Sequence, residues 1–190
     1  MKIKTHNIFT IGILTAVGSF FTTFVFSFLF ASFIAIISNQ LIDTIGHENE
    51  EINYIKADGT KGVIIEPVRT PLTHTLFRSI LCGLIPSLIA LLCFHILLKH
   101  TPVFKNINTR GILILIFLQG ILSGPLHLAL DYITEGGVFI KKNGKYVRTA
   151  LAHIKYNDPV WNIFFQFIGV LFVAATILIA FKGHINSKLF

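Results

Sequence analysis

Hydrophobic residues form four long runs along the chain, separated by polar stretches. The first run, residues 8–37, is about thirty residues long, whereas a membrane-spanning helix needs about twenty. The other three runs, residues 79–98, 111–130 and 160–181, each have the length of one span. The pattern predicts an all-α polytopic membrane protein, organised as a single integral membrane domain over residues 1–190.

The first run is long enough for one tilted helix or for a tight helical hairpin of two arms. Small and hydroxylated residues near its middle offer a place to turn: Gly18, Ser19, Thr22 and Thr23. The first arm would then be short, so that thinning of the bilayer would have to compensate for its length. With the first run as a hairpin, the chain has about five membrane helices.

Small β-hairpins are predicted in the two long polar stretches. In residues 39–78, the segment NYIKADGTKGVII carries an Asp-Gly pair between β-branched flanks. In residues 132–159, the segment VFIKKNGKYVRTAL carries Asn143-Gly144 between two strand-like segments. Asn-Gly and Asp-Gly are the strongest short-range signals for a two-residue hairpin turn.

The composition supports the membrane class. The chain is 53% hydrophobic and only 13% charged, which is atypical of a soluble domain. A pI of about 9.6 would indicate nucleic-acid binding in a soluble protein, but membrane proteins carry an excess of Lys and Arg in cytoplasmic loops. We therefore expect the lipid bilayer as partner and no nucleic acid, with the oligomeric state left open.

Counting membrane crossings shows which ionisable residues share a side. If the first run is a hairpin, one side carries His6, Asp43, His47, His74, His127, Asp131, Glu135 and His153. With a single first span, His6 would lie opposite the others. The hairpin also places eleven of the sixteen Lys and Arg residues on that side. By the positive-inside rule, the amino terminus and these polar groups face the cytoplasm of the cell membrane.

One stretch, GPLHLALDYITEGG at residues 124–137, carries the clearest chemical signal. His127, Asp131 and Glu135 are four residues apart, so that they form one stripe on a helix. Imidazoles together with carboxylates are ligands of Zn²⁺, Mn²⁺ or Fe²⁺. The sequence therefore predicts a divalent metal site, with zinc favoured and with one ion or two both open.

Simpler interpretations exist for each residue taken singly. A histidine at a membrane interface is commonly an interfacial polar residue, and Asp43 or Asp131 would also suit an ion pair with Arg69 or Arg78 at a helix end. The convergence of several clusters on one side favours the metal site. Arg69, which precedes the second long run, suits an anionic phosphate or a developing oxyanion because its guanidinium is a planar fork.

A wider pattern resembles a known family. It consists of an amino-terminal KTH, an Asp at the end of the second apolar segment, RTPLTH before the third, and HLALD followed by a Gly. This pattern resembles the predicted membrane-bound metal-dependent hydrolases, the YdjM-like proteins. The segments NQLIDTIGHE, RTPLTHTLFRS and ALAHIKYNDP are more similar to an uncharacterised archaeal branch that archaeal viruses and plasmids also carry.

The resemblance spans nearly the whole chain and implies a metal site. The residues of this chain that match the family's motifs, and that the resemblance implies as metal ligands, are His6, Asp43, His74, His127 and Asp131. The chain departs from the YdjM-like pattern at one point, because a single Asp43 with His47 stands where that pattern has Asp-x-Asp. The number of ions therefore stays open, with His47 or Glu135 as the residue that would substitute.

The leading hypothesis is a membrane-bound metal-dependent hydrolase of an ester or phosphoester, with a lipid-derived substrate suited to a site at the membrane face. Glu135 or Asp43 would be the general base, and Arg69 would position an anionic group. The alternative is a non-enzymatic structural or partner-binding membrane protein whose polar clusters lock helix ends together. An ion carrier ranks last, because the spans hold almost no ionisable residue besides His95.

Overall fold

The computed structural model describes residues 1–55, 59–100 and 108–186, and within these it contains five α-helices and two β-hairpins. In chain order they are α1 (Ile3–Gly18), α2 (Phe24–Gly46), β1 (His47–Ile55), β2 (Lys61–Arg69), α3 (Leu76–His100), α4 (Thr109–Ile133), β3 (Val138–Lys142), β4 (Lys145–Thr149) and α5 (Pro159–Asn186). The predicted mostly helical class with small hairpins is confirmed. Asp58 of the predicted Asp-Gly turn and most of the link between α3 and α4 lie outside the described residues.

Four of these helices, α2 to α5, are long and apolar enough to cross a membrane. Their apolar parts are 23 to 25 residues long, with a mean hydropathy of 2.0 to 2.6. A bilayer needs about twenty such residues. Helix α1 has 16 residues and is shorter than this, so that four helices of the described chain have the length of a span.

The first apolar run divides into two helices at the predicted place. Helix α1 ends at Gly18 and α2 begins at Phe24. Their contacts show that they are antiparallel: the Ser27 hydroxyl donates to the Thr15 carbonyl oxygen at 2.7 Å, and the Asn39 amide donates to Asn7 Oδ1 at 2.9 Å. The end of α2 therefore returns to the beginning of α1.

Small residues allow α3 and α4 to pack closely. A Cβ atom at Gly83 would fall against the carbonyl oxygen of Gly120, and one at Gly124 against the carbonyl oxygen of Ser79. The Ser87 hydroxyl donates to the carbonyl oxygen of Ile116 at 2.8 Å. Such close backbone approach is typical of membrane helix pairs, and it fixes the end of α4 beside the start of α3.

Helix α5 packs along α1 and is fastened to it by Asn162. The Thr5 hydroxyl donates to Asn162 Oδ1 at 2.6 Å, and the backbone N–H of Lys2 donates to the same oxygen at 3.1 Å. The Asn162 amide in turn donates to the carbonyl oxygens of Tyr156 and Asp158. The starts of α1, α3 and α5 and the ends of α2 and α4 therefore meet at one end of the bundle, which we call the polar end.

Both hairpins are antiparallel and extend from the polar end. In the first, His47 pairs with Arg69, so that both ends of the hairpin lie beside the last turn of α2. In the second, Asn143 and Gly144 have φ angles of 50° and 80°, which is the left-handed backbone that a tight hairpin turn requires. The turn predicted at Asn143-Gly144 is confirmed.

Candidate metal centre

Four side chains with metal-binding atoms converge at the polar end: Asp43, His74, His127 and Asp131. Their ligand atoms all lie within 4.8 Å of one another. Asp43 comes from the last turn of α2, His74 from the loop before α3, and His127 and Asp131 from successive turns near the end of α4. We call this group the four-residue cluster.

The distances within the four-residue cluster match a site for one ion. His127 Nε2 lies 3.1 Å from Asp131 Oδ2 and 3.4 Å from Asp43 Oδ1. His74 Nε2 lies 3.4 Å from Asp131 Oδ2 and 4.0 Å from Asp43 Oδ1. Ligands about 2.1 Å from a tetrahedral ion are separated from one another by about 3.4 Å. The four atoms therefore surround a space of the size that one transition-metal ion fills.

The protonated nitrogen of His127 is fixed by a hydrogen bond outside the cluster. His127 Nδ1 lies 3.1 Å from Asn39 Oδ1, while the Asn39 amide nitrogen donates to Asn7. Because Oδ1 can only accept, Nδ1 carries the proton and donates it. In the neutral ring, the lone pair of His127 is therefore on Nε2, the atom that faces Asp43 and Asp131.

The same arrangement recurs at His74. The Thr73 hydroxyl donates its only proton to the Ile42 carbonyl oxygen at 2.7 Å, and the same hydroxyl oxygen lies 3.2 Å from His74 Nδ1. That oxygen must therefore accept from Nδ1–H. The lone pair of His74 is again on Nε2, directed at the two carboxylates.

With these tautomers, the lone pairs of the two Nε2 atoms and of Asp131 Oδ2 face one another in the buried cluster. Among the described side chains, His74 Nε2, His127 Nε2 and Asp131 Oδ2 are buried and lack a hydrogen-bond partner. Buried polar atoms without a partner are rare because desolvation is costly. A cation between the imidazoles and the carboxylates would satisfy all of them, and outer hydrogen bonds of this kind commonly orient metal-binding histidines.

The protonation of His74 suits this role. Burial lowers the pKa of the His74 imidazole, because desolvation penalises the charged ring more than the neighbouring Asp131 stabilises it. The neutral ring is the form that binds a metal ion. His74 therefore offers Nε2 as a ligand at neutral pH.

Replacing Thr73 with valine tests the outer hydrogen bond. We expect metal affinity to fall about 10- to 100-fold, because His74 Nδ1–H loses its acceptor and the ring is no longer held in one orientation. The measurement is a competition titration with a metal-binding dye. Thr70→Val is the control: it removes a hydroxyl of the same loop that bonds the Gly46 carbonyl oxygen instead, and unchanged affinity in both variants would contradict the assignment.

Arg69 is in contact with one of the candidate ligands. Its Nη2 donates to Asp131 Oδ1 at 2.6 Å, and its Nη1 donates to Thr134 Oγ1 and to the Gly137 carbonyl oxygen. The guanidinium thereby holds one oxygen of Asp131 and leaves Oδ2 for the two imidazoles. Pairing of Asp131 with Arg69 was one of the simpler interpretations open from the sequence, and this ion pair is present; binding of an anionic substrate group by Arg69 stays a prediction.

His6 lies next to the four-residue cluster. Its Nε2 is 3.2 Å from Asp131 Oδ1, and its ring stacks on that of His127 with centroids 4.0 Å apart. The oxygen that it approaches is the one that Arg69 also binds. His6 is therefore adjacent to the candidate ion site, on the side of Asp131 turned away from His74.

A cavity of about 480 Å³ opens beside the cluster. Its lining contains Met1, Asp43, His47, Pro67, Val68, Arg69, Glu135, Gly136, Arg148 and Tyr156. The Asp43 side chain is 26% exposed, whereas those of His74, His127 and Asp131 are fully buried. A molecule in this cavity would thus approach the cluster from the side of Asp43.

A family model described as a protein of unknown function, DUF1286, matches residues 1–130. The chain belongs to this family. The matched part of the DUF1286 chain contains His6, Asp43, His74 and His127. The comparison with curated proteins found no match, and neither did the comparison with solved structures.

Some predicted positions of the DUF1286 chain lie outside the cluster. Glu135 is not on the stripe of His127 and Asp131, because α4 ends at Ile133; it is exposed and lines the cavity. His47 is the first residue of β1, and its Nδ1 donates to the Asp43 carbonyl oxygen at 2.6 Å. His153 is exposed and has a φ angle of 50°.

Sequence reasoning missed the role of three residues in the DUF1286 chain. Asn7 supports Asn39, and Arg148 and Tyr156 line the cavity. A signal for Asn7 existed, since it directly follows His6 and would face Asn39 once the first run is folded as a hairpin. The sequence also contained information on the position of Arg148, because the Asn143-Gly144 turn fixes the hairpin register in which Arg148 pairs with Phe139.

Proposed function

We propose that this chain is a membrane-bound metal-dependent hydrolase that acts on an ester or phosphoester at the cytoplasmic membrane face. One observation carries the proposal: the Nε2 atoms of His74 and His127 face Asp131 Oδ2 at 3.4 and 3.1 Å, and all three atoms are buried without a hydrogen-bond partner. Two imidazole nitrogens and two carboxylates at this spacing form a donor set that suits a divalent metal ion.

The proposed ligands are Asp43, His74, His127 and Asp131, with His6 as an adjacent ligand or support. Nitrogen and carboxylate donors favour zinc, and they also suit manganese or iron. When bound, such an ion supplies Lewis-acid chemistry: it polarises an ester or phosphoryl oxygen and makes hydroxide available near neutral pH. Its cost of burial is offset by the two carboxylates.

The remaining roles belong to residues of the cavity. We assign Glu135 as the general base, since it is an exposed carboxylate in the cavity lining. Its Oε1 accepts from the backbone N–H of Tyr156 at 3.4 Å, which holds it near the cavity wall. Arg69 orients Asp131 and contributes positive charge to the same wall.

The membrane arrangement that we propose has five helices. Helices α2 to α5 cross the bilayer, and α1 enters it but crosses only part of it, because its 16 residues span about 24 Å. The excess of Lys and Arg at the polar end supports an orientation in which that end faces the cytoplasm. A lipid-derived substrate is then available at the depth of the cavity.

Family resemblance supports the same activity. The motifs around His6, His74 and His127 resemble those of the YdjM-like predicted hydrolases and of their archaeal branch. That resemblance rests on sequence motifs, whereas the unpaired nitrogens of His74 and His127 are an independent structural observation. The two lines of support agree on a metal at the polar end.

Elemental analysis tests the proposal directly. Purified wild-type protein in detergent, exposed to Zn²⁺, Mn²⁺ and Fe²⁺ and then dialysed, is expected to retain about one ion per chain, since the four donor atoms surround one space. His95→Ala serves as a control, because His95 is exposed on α3 and should not change the metal content. Well-folded wild-type protein that retains no stoichiometric ion would remove the mechanism.

A structural role is the second candidate. Hydrogen bonds between helices already join the polar end, from the Thr5 hydroxyl to Asn162 Oδ1 and from the Asn39 amide to Asn7 Oδ1. In this alternative, the cluster would be one more link between helix ends, and the chain would bind a protein partner or none. The two candidates differ in how stability responds to metal.

A further inference from the structure

Two arginines line the cavity beside the metal centre, and they differ in what they bind. Arg69 directs hydrogen bonds to Asp131, Thr134 and Gly137, and its side chain is only 9% exposed. Arg148 is exposed, and its side chain forms no hydrogen bond or ion pair with any residue that the structure describes. The cation that is free to bind a molecule in the cavity is therefore Arg148.

The position of Arg148 is set by backbone pairing. It pairs with Phe139 across the β3–β4 hairpin, and the backbone N–H of Phe139 donates to the His74 carbonyl oxygen at 2.8 Å. The hairpin is further held where Arg78 lies over the ring of Tyr146, 5.4 Å from its centroid. Arg148 is thus attached, through one strand, to the loop that carries a candidate metal ligand.

The alternation of side chains along β4 places Arg148 and Lys145 on opposite faces of the hairpin. Successive residues of a strand point to opposite faces, so that Arg148 and Tyr146 share one face and Lys145 and Val147 the other. Arg148 lines the cavity, while Lys145 does not appear in the cavity lining. The hairpin therefore directs one particular cation toward the metal centre.

The charges of the cavity favour an anionic ligand. With a divalent ion in the cluster, the ionised groups around the cavity leave a net positive charge: Asp43, Asp131, Glu135, Arg69 and Arg148. A neutral carboxyl ester would gain little from this charge, whereas a phosphate carries one or two negative charges and suits the planar fork of arginine. A volume of about 480 Å³ is ample for a phosphate with part of its alcohol group.

We propose that Arg148 and the cavity beside the four-residue cluster form a phosphate-binding subsite, so that the substrates are phosphate esters. This inference rests on the proposed hydrolase function and narrows it. In the reaction, the oxygen of water forms a bond to phosphorus, and the bond from phosphorus to the ester oxygen breaks. The proton of the water goes to the departing oxygen, which gives an alcohol and inorganic phosphate.

The same phosphate chemistry is presented by soluble metabolites and by lipids, and two substrates distinguish them. Para-nitrophenyl phosphate represents a soluble phosphate ester, and phosphatidic acid in mixed micelles represents a lipid one. Met1, Pro67 and Val68 give the cavity an apolar side, so that we expect the larger kcat/KM for phosphatidic acid. A preference for the soluble ester would keep the subsite and assign it to soluble substrates.

The experiment compares Zn²⁺-loaded wild-type protein with Arg148→Ala and with the matched control Lys145→Ala. Inorganic phosphate binding is measured by titration calorimetry, and kcat/KM is measured with both phosphate esters and with a carboxyl ester. We expect Arg148→Ala to bind phosphate about tenfold more weakly and to lose at least that factor in kcat/KM. Lys145→Ala should match the wild type, and metal content should be the same in all three proteins.

Two results would overturn the subsite. One is equal phosphate binding in Arg148→Ala and wild type. The other is Zn²⁺-loaded protein that hydrolyses the carboxyl ester and neither binds nor hydrolyses phosphate compounds, which would retain the hydrolase and remove the subsite. Wild-type protein that retains no Zn²⁺ would instead remove both proposals, so that the two failures are distinguishable.

Discussion

Replacing Asp131 with alanine is expected to abolish metal binding and to destabilise the protein strongly. Asp131 is fully buried and faces Arg69, His6, His74 and His127. Its removal leaves the guanidinium of Arg69 without its carboxylate partner, and breaking a buried ion pair in this way costs about 3–5 kcal/mol. Unfolding in detergent measures the loss of stability, and elemental analysis measures the loss of the ion.

Two further variants separate the parts of this effect. Asp131→Asn keeps an oxygen that accepts from Arg69 but removes the negative charge, so that it should retain more stability than the alanine variant while still losing the ion. Asp158→Ala is the control carboxylate: Asp158 caps α5 by accepting from Val160 N–H, and its loss should cost about 1 kcal/mol without affecting metal. Stoichiometric metal in Asp131→Ala would contradict its assignment as a ligand.

The helices and their pairing at the polar end follow from the hydrophobic pattern. Apolar runs predicted the approximate limits of the long helices, and the small residues near Gly18 indicated the break between α1 and α2. The spacing of four between His127 and Asp131 gave the stripe on α4, because both residues precede the end of the helix. These are local signals that a sequence carries.

The rest depends on contacts between distant segments. The ion pair between Arg69 and Asp131 joins residues 62 positions apart; the sequence offered it as one of several pairings of Asp43 or Asp131 with Arg69 or Arg78, and no periodicity selects among them. The sequence also did not predict where α4 ends. The backbone N–H of Thr134 donates to the carbonyl oxygen of Asp131, and the N–H of Glu135 donates to the carbonyl oxygen of Ile154. Glu135 therefore leaves the helical stripe that its spacing predicted, because a chain segment some twenty residues further on pairs with its backbone.

Replacing His127 with alanine separates the hydrolase from the structural alternative. If His127 binds an ion, wild-type protein should gain stability when Zn²⁺ is added, by about 2.7 kcal/mol at a hundred times the dissociation constant. The variant should lose this gain, together with more than 100-fold of the hydrolytic rate, since losing a ligand costs more than losing its outer support. Thermal unfolding with and without Zn²⁺ gives the comparison.

The structural alternative predicts a different pattern for the same His127→Ala variant. His127 would then act only through its bond to Asn39 and its stacking on His6, so that the variant would be less stable by the same amount with and without Zn²⁺. His95→Ala should respond to Zn²⁺ as the wild type does, because His95 is exposed on α3. A stability difference that is independent of metal would therefore favour the structural role, and one that appears only with metal would favour the enzyme.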